Sequence, residues 1–337
     1  MYRIGIDVGG TFTDLVAVDD FGKATLAKVP STPEDPSVGV IDGLELLAVT
    51  LGTELAVLLD ETERVVHGTT VATNALLERR GAKVGLLTTD GHRDVIEMRE
   101  GLKDDRYNLR LPPPEQLVPR KLRLGVRERT RADGRIETPL DRASLDCAIA
   151  ALERERVAAV AVCYLHSWRD PGHERATREA VTRVLPGAYI ALSSDVLPQI
   201  KEFERVSTTV VNAYVGPALS RYLERLARRL AEAGYSGATL IIQSHGGVAP
   251  IDESGRLAAG AVLSGPTCRT PPASTRAIDP PPAPMLAMSR LLSAIVWPAT
   301  RRAAAKLGRP STISEMSVLV PPISNGIRLP SPISRAA

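Results

Sequence analysis

Aromatic residues make up only 4% of this 337-residue chain, and cysteine occurs three times, at Cys147, Cys163 and Cys268. An odd number of cysteines at irregular spacing supports neither a disulfide framework nor a thiolate metal site, so buried free thiols are expected. The five histidines, His67, His92, His166, His173 and His245, are equally scattered. No two stand at the i, i+4 spacing that sets both on one helical face for zinc, and polar or partly buried roles are expected of them. No stretch approaches the ~18 consecutive apolar residues of a membrane span. The opening Met-Tyr-Arg-Ile-Gly-Ile-Asp has no basic leader, long apolar core or cleavage site. A cytoplasmic protein with no membrane partner is therefore expected.

Acidic residues are scarce at one end. Residues 268–337 carry nine Lys/Arg against two Asp/Glu, a net of +7 in a chain whose total is +3, which leaves −4 for residues 1–267. A mildly acidic body with few aromatics has no footprint for nucleic acid, and the basic tail lacks the stacking residues such binding uses. What is present is 44% hydrophobic and 24% charged content, enough to bury a substantial core in about two domains.

Patterning supplies the elements. Residues 3–8 alternate as a strand, Gly9-Gly10 break it, and 15–18 resume it, with a third strand near 25–29. Helical spacing follows at 38–51, then strand, turn, helix and strand over 64–89. Asp133-Gly134 marks an exposed hairpin between 127–131 and 135–138. Helices at 141–155 and 172–185 alternate with strands at 157–164 and 188–192, which argues for α/β layers. Two helices, 198–214 and 217–233, precede a strand at 239–243.

The string Asp7-Val8-Gly9-Gly10-Thr11-Phe12-Thr13-Asp14 lies between two of these strands. Paired glycines let backbone N–H groups converge on a ligand, the Thr11 and Thr13 hydroxyls can donate to phosphate oxygens, and Asp7 can hold Mg²⁺. The same string also suits a plain β-hairpin. Gly68-Thr69-Thr70 opens a helix whose N-terminus favours an anion or a polarised carbonyl, so Thr69, Thr70, Thr73 and Asn74 are candidate substrate or phosphate contacts. Threonine is equally at home as a helix cap. His67 is either an acid/base or a strand-end histidine satisfied by neighbouring backbone. Glu202 and Arg205, at i, i+3, read as a solvated helix-surface pair. Ser244-His245-Gly246-Gly247 after a strand forms another candidate turn of backbone donors.

The Asp7–Asp14 string resembles the first phosphate loop of the acetate kinase, sugar kinase, Hsp70 and actin superfamily. Thr-Phe-Thr-Asp after the glycines narrows the resemblance to the hydantoinase/oxoprolinase branch, which includes N-methylhydantoinase, 5-oxoprolinase and the acetone and acetophenone carboxylase subunits. His67-Gly-Thr-Thr-Val-Ala-Thr-Asn-Ala75, Leu76 to Gly81, Gly91-His-Arg-Asp94 and the run 194–217 are similar to that branch as well. The resemblance implies an α/β fold with an actin/Hsp70/sugar-kinase-like, ribonuclease H-like N-terminal lobe. It implies an N-terminal domain at 1–190, the start of a hydantoinase A core domain at 191–267, and an aberrant tail at 268–337.

Functionally, the resemblance implies ATP-dependent hydrolysis of a cyclic amide of the hydantoin or 5-oxoproline type, with ATP and Mg²⁺ as cofactors and a hydantoinase B-type subunit as partner. Asp7 and His67 are then catalytic, with Asp7 also the metal ligand. Gly9, Gly10, Thr11, Thr13 and Asp14 bind the cofactor, and Thr69, Thr70, Thr73 and Asn74 face the substrate. An acetone or acetophenone carboxylase-type subunit is the nearest alternative; a small-molecule kinase shares the first loop but not the 67–81 and 194–217 blocks. A non-catalytic fragment is the third reading.

After Leu263-Ser-Gly-Pro266 the family pattern should reach a second Asp-Gly-Gly-Thr phosphate loop, and here the chain reads Thr-Cys-Arg-Thr-Pro-Pro. A chain truncated or frameshifted after about residue 267, and inactive as it stands, is the resulting expectation. Twelve of the 26 prolines fall in 268–337, with no sustained period apart from a short helical pattern at 285–308. Such a segment offers too little patterned apolar surface to offset its ordering entropy. Limited proteolysis should therefore cut within 268–337 before it cuts the body; the reverse order of cleavage would contradict a poorly packed tail.

Overall fold

The computed structural model describes residues 1–99, 107, 108, 110 and 115–263, so Cys268 and every expectation for the tail lie outside the described residues. Three strands open the chain: β1 (Tyr2–Val8), β2 (Phe12–Asp19) and β3 (Ala24–Pro30). They pair antiparallel in that order, and the buried positions Ile4, Ile6, Val8, Leu15 and Ala17 alternate along them. Helix α1 (Pro36–Leu51) covers that sheet face with Val40, Leu44 and Leu47, each fully buried. Burial of each such side chain contributes about 1.5–3 kcal/mol. Asp35 caps α1 by accepting the Ser37 N–H, Pro36 enters its first turn, and Gly52 ends it in the left-handed conformation at φ 74°.

After α2 (Leu55–Asp60) the chain returns as β4 (Thr62–Thr69), parallel to β1, and turns into α3 (Val71–Leu77), which ends before residue 80. A second sheet then begins with β5 (Val84–Thr89), followed by α4 (Val95–Met98), β6 (Arg123–Val126) and the hairpin β7 (Arg129–Thr130) and β8 (Ile136–Thr138). Next come α5 (Arg142–Arg154), β9 (Ala159–Cys163), α6 (Gly172–Val184), β10 (Tyr189–Leu192) and α7 (Ser193–Val196). The long helix α8 (Glu202–Glu232) leads to β11 (Ala238–Ile242), β12 (Val248–Pro250) and α9 (Ile251–Arg256).

The strands sort into two main sheets. One runs β12-β11-β4-β1-β2-β3, with β4 parallel to both β1 and β11; the other runs β10-β9-β5-β6 and is parallel throughout. The antiparallel meander followed by parallel strands on its inner edge is the ribonuclease H-like arrangement that the sequence led one to expect. Every residue of β5 and β9 is buried, which is why these strands read as continuous apolar runs: a parallel sheet is covered on both faces.

Several local readings are corrected. The two helices expected at 198–214 and 217–233 are one helix with Pro217 inside it. Proline lacks an N–H and crowds the preceding turn, so it usually marks an end. Here both halves are anchored, by Val206, Val210 and Val211 on one side and Leu219, Leu223 and Leu226 on the other. Strand β6 has no alternation to announce it. Arg205 is not a solvated surface charge but is fully buried, bonded to the hydroxyls of Ser167 and Ser193 and to Glu202. Of the two described cysteines, Cys163 is buried, and burial pushes its thiol up to about 12, whereas Cys147 on α5 is exposed, contrary to expectation.

Gly216 lies where α8 crosses the start of β10. A Cβ there would sit 2.3 Å from the Tyr189 ring. The ring is held because the Tyr189 hydroxyl, with one proton to give, lies 2.9 and 2.7 Å from the Gly255 and Arg256 carbonyls and accepts from Asn212 Nδ2 at 3.1 Å. In an open helix Gly→Ala gains up to about 1 kcal/mol. Here overpacking of about 1–3 kcal/mol outweighs that gain, so Gly216→Ala should lower the urea midpoint. A raised midpoint would show that the ring moves aside freely.

Candidate functional site

The carboxyl ends of β1 and β4 meet because the two strands are parallel and in register, Asp7 beside Gly68 and Val8 beside Thr69. The Gly9-Gly10 turn and the Gly68–Thr70 turn therefore leave one edge of the first sheet side by side. Thr70 fastens them: its hydroxyl donates to the Val8 carbonyl at 3.2 Å and accepts from Asn74 Nδ2 at 3.4 Å.

Asp7 is half-buried on this edge, directly across β2 from Asp14. Burial, and then the Asp14 charge, raise its carboxyl above the usual range. Asp14 is exposed and paired with Lys28 at 2.7 Å. Among the described residues no cation lies within ion-pair distance of Asp7. A desolvated carboxylate without a partner is costly, and a divalent cation is one group that would relieve it; the site thus fits a metal held by Asp7.

The loop itself is tied from below. Gly9 donates its N–H to the Phe12 carbonyl at 3.0 Å, the Ser31 hydroxyl donates to the Gly9 carbonyl at 2.8 Å, and the Ser31 N–H donates to the Thr11 carbonyl at 2.9 Å. Gly10 and Thr11 are exposed, and the space at Gly10 is open, with nothing within 4 Å of where a Cβ would stand. Thr13 is placed differently: it is fully buried, with Oγ1 3.1 Å from Ser31 Oγ. Its hydroxyl braces the loop, and the exposed hydroxyl is that of Thr11.

His67, Thr69 and Thr73 also lie beneath the edge. His67 is fully buried with Nε2 2.7 Å from the Tyr222 hydroxyl of α8, and Thr69 Oγ1 accepts the Val71 N–H at 3.3 Å. Thr73 Oγ1 accepts the N–H of Leu263 at 2.7 Å, tying α3 to the last described residue. Thus Asp7, Gly9, Gly10, Thr11 and Asn74 share the accessible edge, while Thr13, His67, Thr69, Thr70 and Thr73, all buried, support it. Sequence reasoning missed Tyr222, Ser31 and Asp35. Asp35 meets Arg225 and Arg229 of α8 at 3.2 Å each. Burial would raise its carboxyl, but the Ser37 hydroxyl and both arginines outweigh that and hold it low. Only the proline-punctuated stretch 30–36 hinted at a shaped loop there.

The Ser244–Gly247 turn joins β11 to β12, with Gly246 and Gly247 at φ 94° and 79°, conformations that suit glycine. Beside it a cavity of about 160 Å³ is lined in part by Asn212, Gln243, His245 and Glu253. Burial lowers the His245 imidazole. Among the described residues no cluster of three metal-ligating side chains occurs, and no helix is long and apolar enough to cross a membrane.

Residues 3–185 match the hydantoinase/oxoprolinase N-terminal region and residues 205–269 match hydantoinase/oxoprolinase, so the chain belongs to the hydantoinase/oxoprolinase family. Among its relatives, it is 43% identical to the caprolactamase subunit alpha of Pseudomonas jessenii over 79% of this chain and 38% of that one. The solved structure of the ATP-dependent caprolactamase from the same organism superposes with a TM-score of 0.71 over 79% of this chain and 39% of that one. A nucleotide-free acetone carboxylase, from work on ATP-dependent acetone carboxylation, gives a TM-score of 0.70 at 28% identity, over 79% of this chain and 39% of that one. 5-Oxoprolinase 1 of Arabidopsis thaliana is 29% identical over 78% of this chain and 22% of its own length. The chain thus spans well under half the length of these relatives.

His67 makes folding pH-dependent. Burial lowers its pKa from 6.5 to about 4, partly countered by the Ile6 backbone. Below pH 6.5 the unfolded chain takes up a proton that the folded one refuses, so stability is intact above that pH and is lost as pH falls toward 4. At pH 5 the loss from this group is about 2 kcal/mol. His67→Gln should flatten that part of the profile between pH 7.5 and 5 in urea titrations; an unchanged acid slope would assign it elsewhere.

Proposed function

We propose that this chain contributes one phosphate-binding edge to an ATP-dependent enzyme that activates the carbonyl of a cyclic amide for ring opening. The observation that carries this reading is the half-buried Asp7 carboxylate, with no ion-pair partner among the described residues, at the mouth of two adjoining turns. Asp7 would hold Mg²⁺, while the Gly10 N–H and the Thr11 hydroxyl would donate to phosphate oxygens, with Gly9, its own N–H held by the Phe12 carbonyl, shaping the turn and Asp14 at the rim. Thr13, through Ser31, keeps that loop in one shape, which is what preorganised donors require. When bound, Mg-ATP supplies a phosphoryl group to the amide oxygen and so makes the ring carbon a better electrophile for water. Asn74 is the substrate-facing group on the adjoining turn, with Thr69, Thr70 and Thr73 shaping it from beneath.

His67 is assigned a positioning role ahead of acid/base work. Its ring is sealed from solvent and bonded to Tyr222, so it fixes the spacing of β4 from α8. The similarity to a caprolactamase subunit supports a lactam-like substrate, and by the same analogy a second subunit, of the hydantoinase B type, is the proposed partner. The similarity to acetone carboxylase favours a second reading, in which the activated carbonyl belongs to a ketone and the acceptor is bicarbonate-derived.

Calorimetric titration with Mg-ATP tests the loop. Binding should be detectable, and Asp7→Asn should weaken it at least about tenfold, the equivalent of 1.4 kcal/mol, with little change in folding. Equal Mg-ATP affinity in the variant would remove Asp7 from the site. Product analysis with caprolactam, hydantoin, 5-oxoproline and acetone plus bicarbonate, in the presence of candidate partner subunits, separates the two carbonyl classes.

A further inference from the structure

The Ser244–Gly247 turn is a third turn on the carboxyl edge of the first sheet, and the phosphate reading does not use it. Strand β11 runs parallel to β4 with Ile241 level with His67, so the chain leaves β11 beside the Gly68–Thr70 turn. One strand separates β11 from β1, which sets this turn roughly 10 Å from Gly9-Gly10. It is tied in from the side: the Ser244 N–H donates to the Gly260 carbonyl at 2.7 Å, and shortly after it Leu263 is bonded to Thr73 of α3.

Against this turn lies the cavity of about 160 Å³, between α8, α9 and the turn Ala258–Ala261. Its walls are largely apolar, with Val196, Val248, Ala249 and Leu257 among them. A cavity of roughly 150 Å³ accommodates one six-membered ring. The lining contains no Lys or Arg, and its one carboxylate, Glu253, is paired with Arg256 at 2.7 Å.

The buried polar groups of the lining have no proton left to give. Asn212 directs Nδ2 to the Tyr189 hydroxyl and the Arg256 carbonyl, and Thr208 gives its proton to the Glu204 carbonyl. Gln243, 4% exposed, directs Nε2 to the Ile241 carbonyl at 3.2 Å and to Ser254 Oγ at 3.1 Å. Those bonds fix which end of the carboxamide is oxygen, and Oε1 has no hydrogen-bond partner among the described residues. A buried acceptor left unpaired costs about 1–3 kcal/mol, which the N–H of a ligand would recover. A Cβ on Gly260 would fall 2.2 Å from Gln243 Oε1 and 3.9 Å from His245 Cε1, so these two side chains meet over a glycine that does not keep them apart. His245 is exposed at the mouth, and its imidazole, held low by partial burial, is neutral at pH 7 with one N–H to donate.

We propose that this cavity binds a small neutral cyclic amide, its ring against the apolar walls, its N–H on Gln243 Oε1 and its carbonyl oxygen toward His245. An amide matches both polar groups at once. A ketone of the same shape leaves Oε1 unpaired, and an ammonium would bring a charge into an apolar space whose only carboxylate is already taken. That this amide is the one activated at the Asp7 edge rests on the phosphate reading; its binding here does not.

The test is a titration of the full chain without nucleotide, followed by NMR of the His245 ring, whose signals are those lost in His245→Gln. δ-Valerolactam should shift them saturably, at about millimolar concentration given so few ligand atoms. Cyclohexanone, with the same ring but no N–H, should bind at least about tenfold more weakly, and so should piperidine, a cation at pH 7. Ala249→Leu, which fills the cavity from the edge strand β12, should abolish the shift with the fold intact by circular dichroism. Gln243→Met, close in shape but without the acceptor, should bring δ-valerolactam down to the level of cyclohexanone. Absence of a saturable shift, equal or tighter binding of cyclohexanone or piperidine, unchanged affinity in Ala249→Leu, or a retained lactam preference in Gln243→Met would each overturn the proposal. Because nucleotide is absent, a failed Mg-ATP titration leaves this result standing, and a failed lactam titration leaves the phosphate edge standing.

Discussion

Parallel pairing of β1 with β4 brings together two turns that are about sixty residues apart in sequence. Neither turn is a site alone: one offers a carboxylate and an open glycine, the other a buried threonine ladder and an asparagine. Their union depends on register, because a slip of one residue would turn Asp7 to the opposite face of the sheet and bury it or expose it entirely. The register is locked by the alternating apolar set Ile4, Ile6 and Val8 on one strand and by Val65 and His67 on the other, all buried. It is locked again by the bond from Thr70 to the Val8 carbonyl.

Helix α8 carries this arrangement to the rest of the molecule. Its first half packs on β9 and β10 of the second sheet and its second half reaches α1, Asp35 and His67 of the first. Polar groups rather than apolar ones make the decisive contacts at several points along it. Arg205 is sealed among Ser167, Ser193 and Glu202, and nearby Glu174 accepts from the Tyr164 and Ser194 N–H groups and the Ser193 hydroxyl. Such networks do not add much net stability over an apolar core, but removing one member is costly because the others are left buried without partners. They fix the helix in one position where leucine and valine would tolerate several.

The two sheets share an architecture at their carboxyl edges: a carboxylate, flanking hydroxyls and strand ends in register. They differ in what completes them. At the first edge no cation among the described residues pairs with Asp7, which suits a metal; at the second Glu128 is met by the Thr89 hydroxyl and by His173. Family membership bears on the first edge through the ATP-dependent relatives.

Much of this was written in the sequence. Strand alternation at 3–8 and 15–18, the helical spacing at 38–51, and the apolar runs of β5 and β9 follow from local chemistry that needs no partner to be recognised. The blocks at 7–14 and 67–81 marked the family and held the accessible residues Asp7, Gly9, Gly10, Thr11 and Asn74. What the sequence alone did not decide was which polar side chains face outward. Thr11 and Thr13 look alike as residues two apart on a strand's approach, yet one is exposed and the other is held under Ser31, because Ser31 follows β3, the strand paired directly with β2. Arg205 read as a helix-surface charge since its spacing to Glu202 permits that, and only the arrival of Ser167 from the turn after β9 and Ser193 from the start of α7 made it a core residue. Pro217 read as a stop because its backbone cost is local, while the packing that outweighs it comes from two sheets. Glu128 and His173 had no shared motif, being 45 residues apart; the closure of four parallel strands is what sets one against the other.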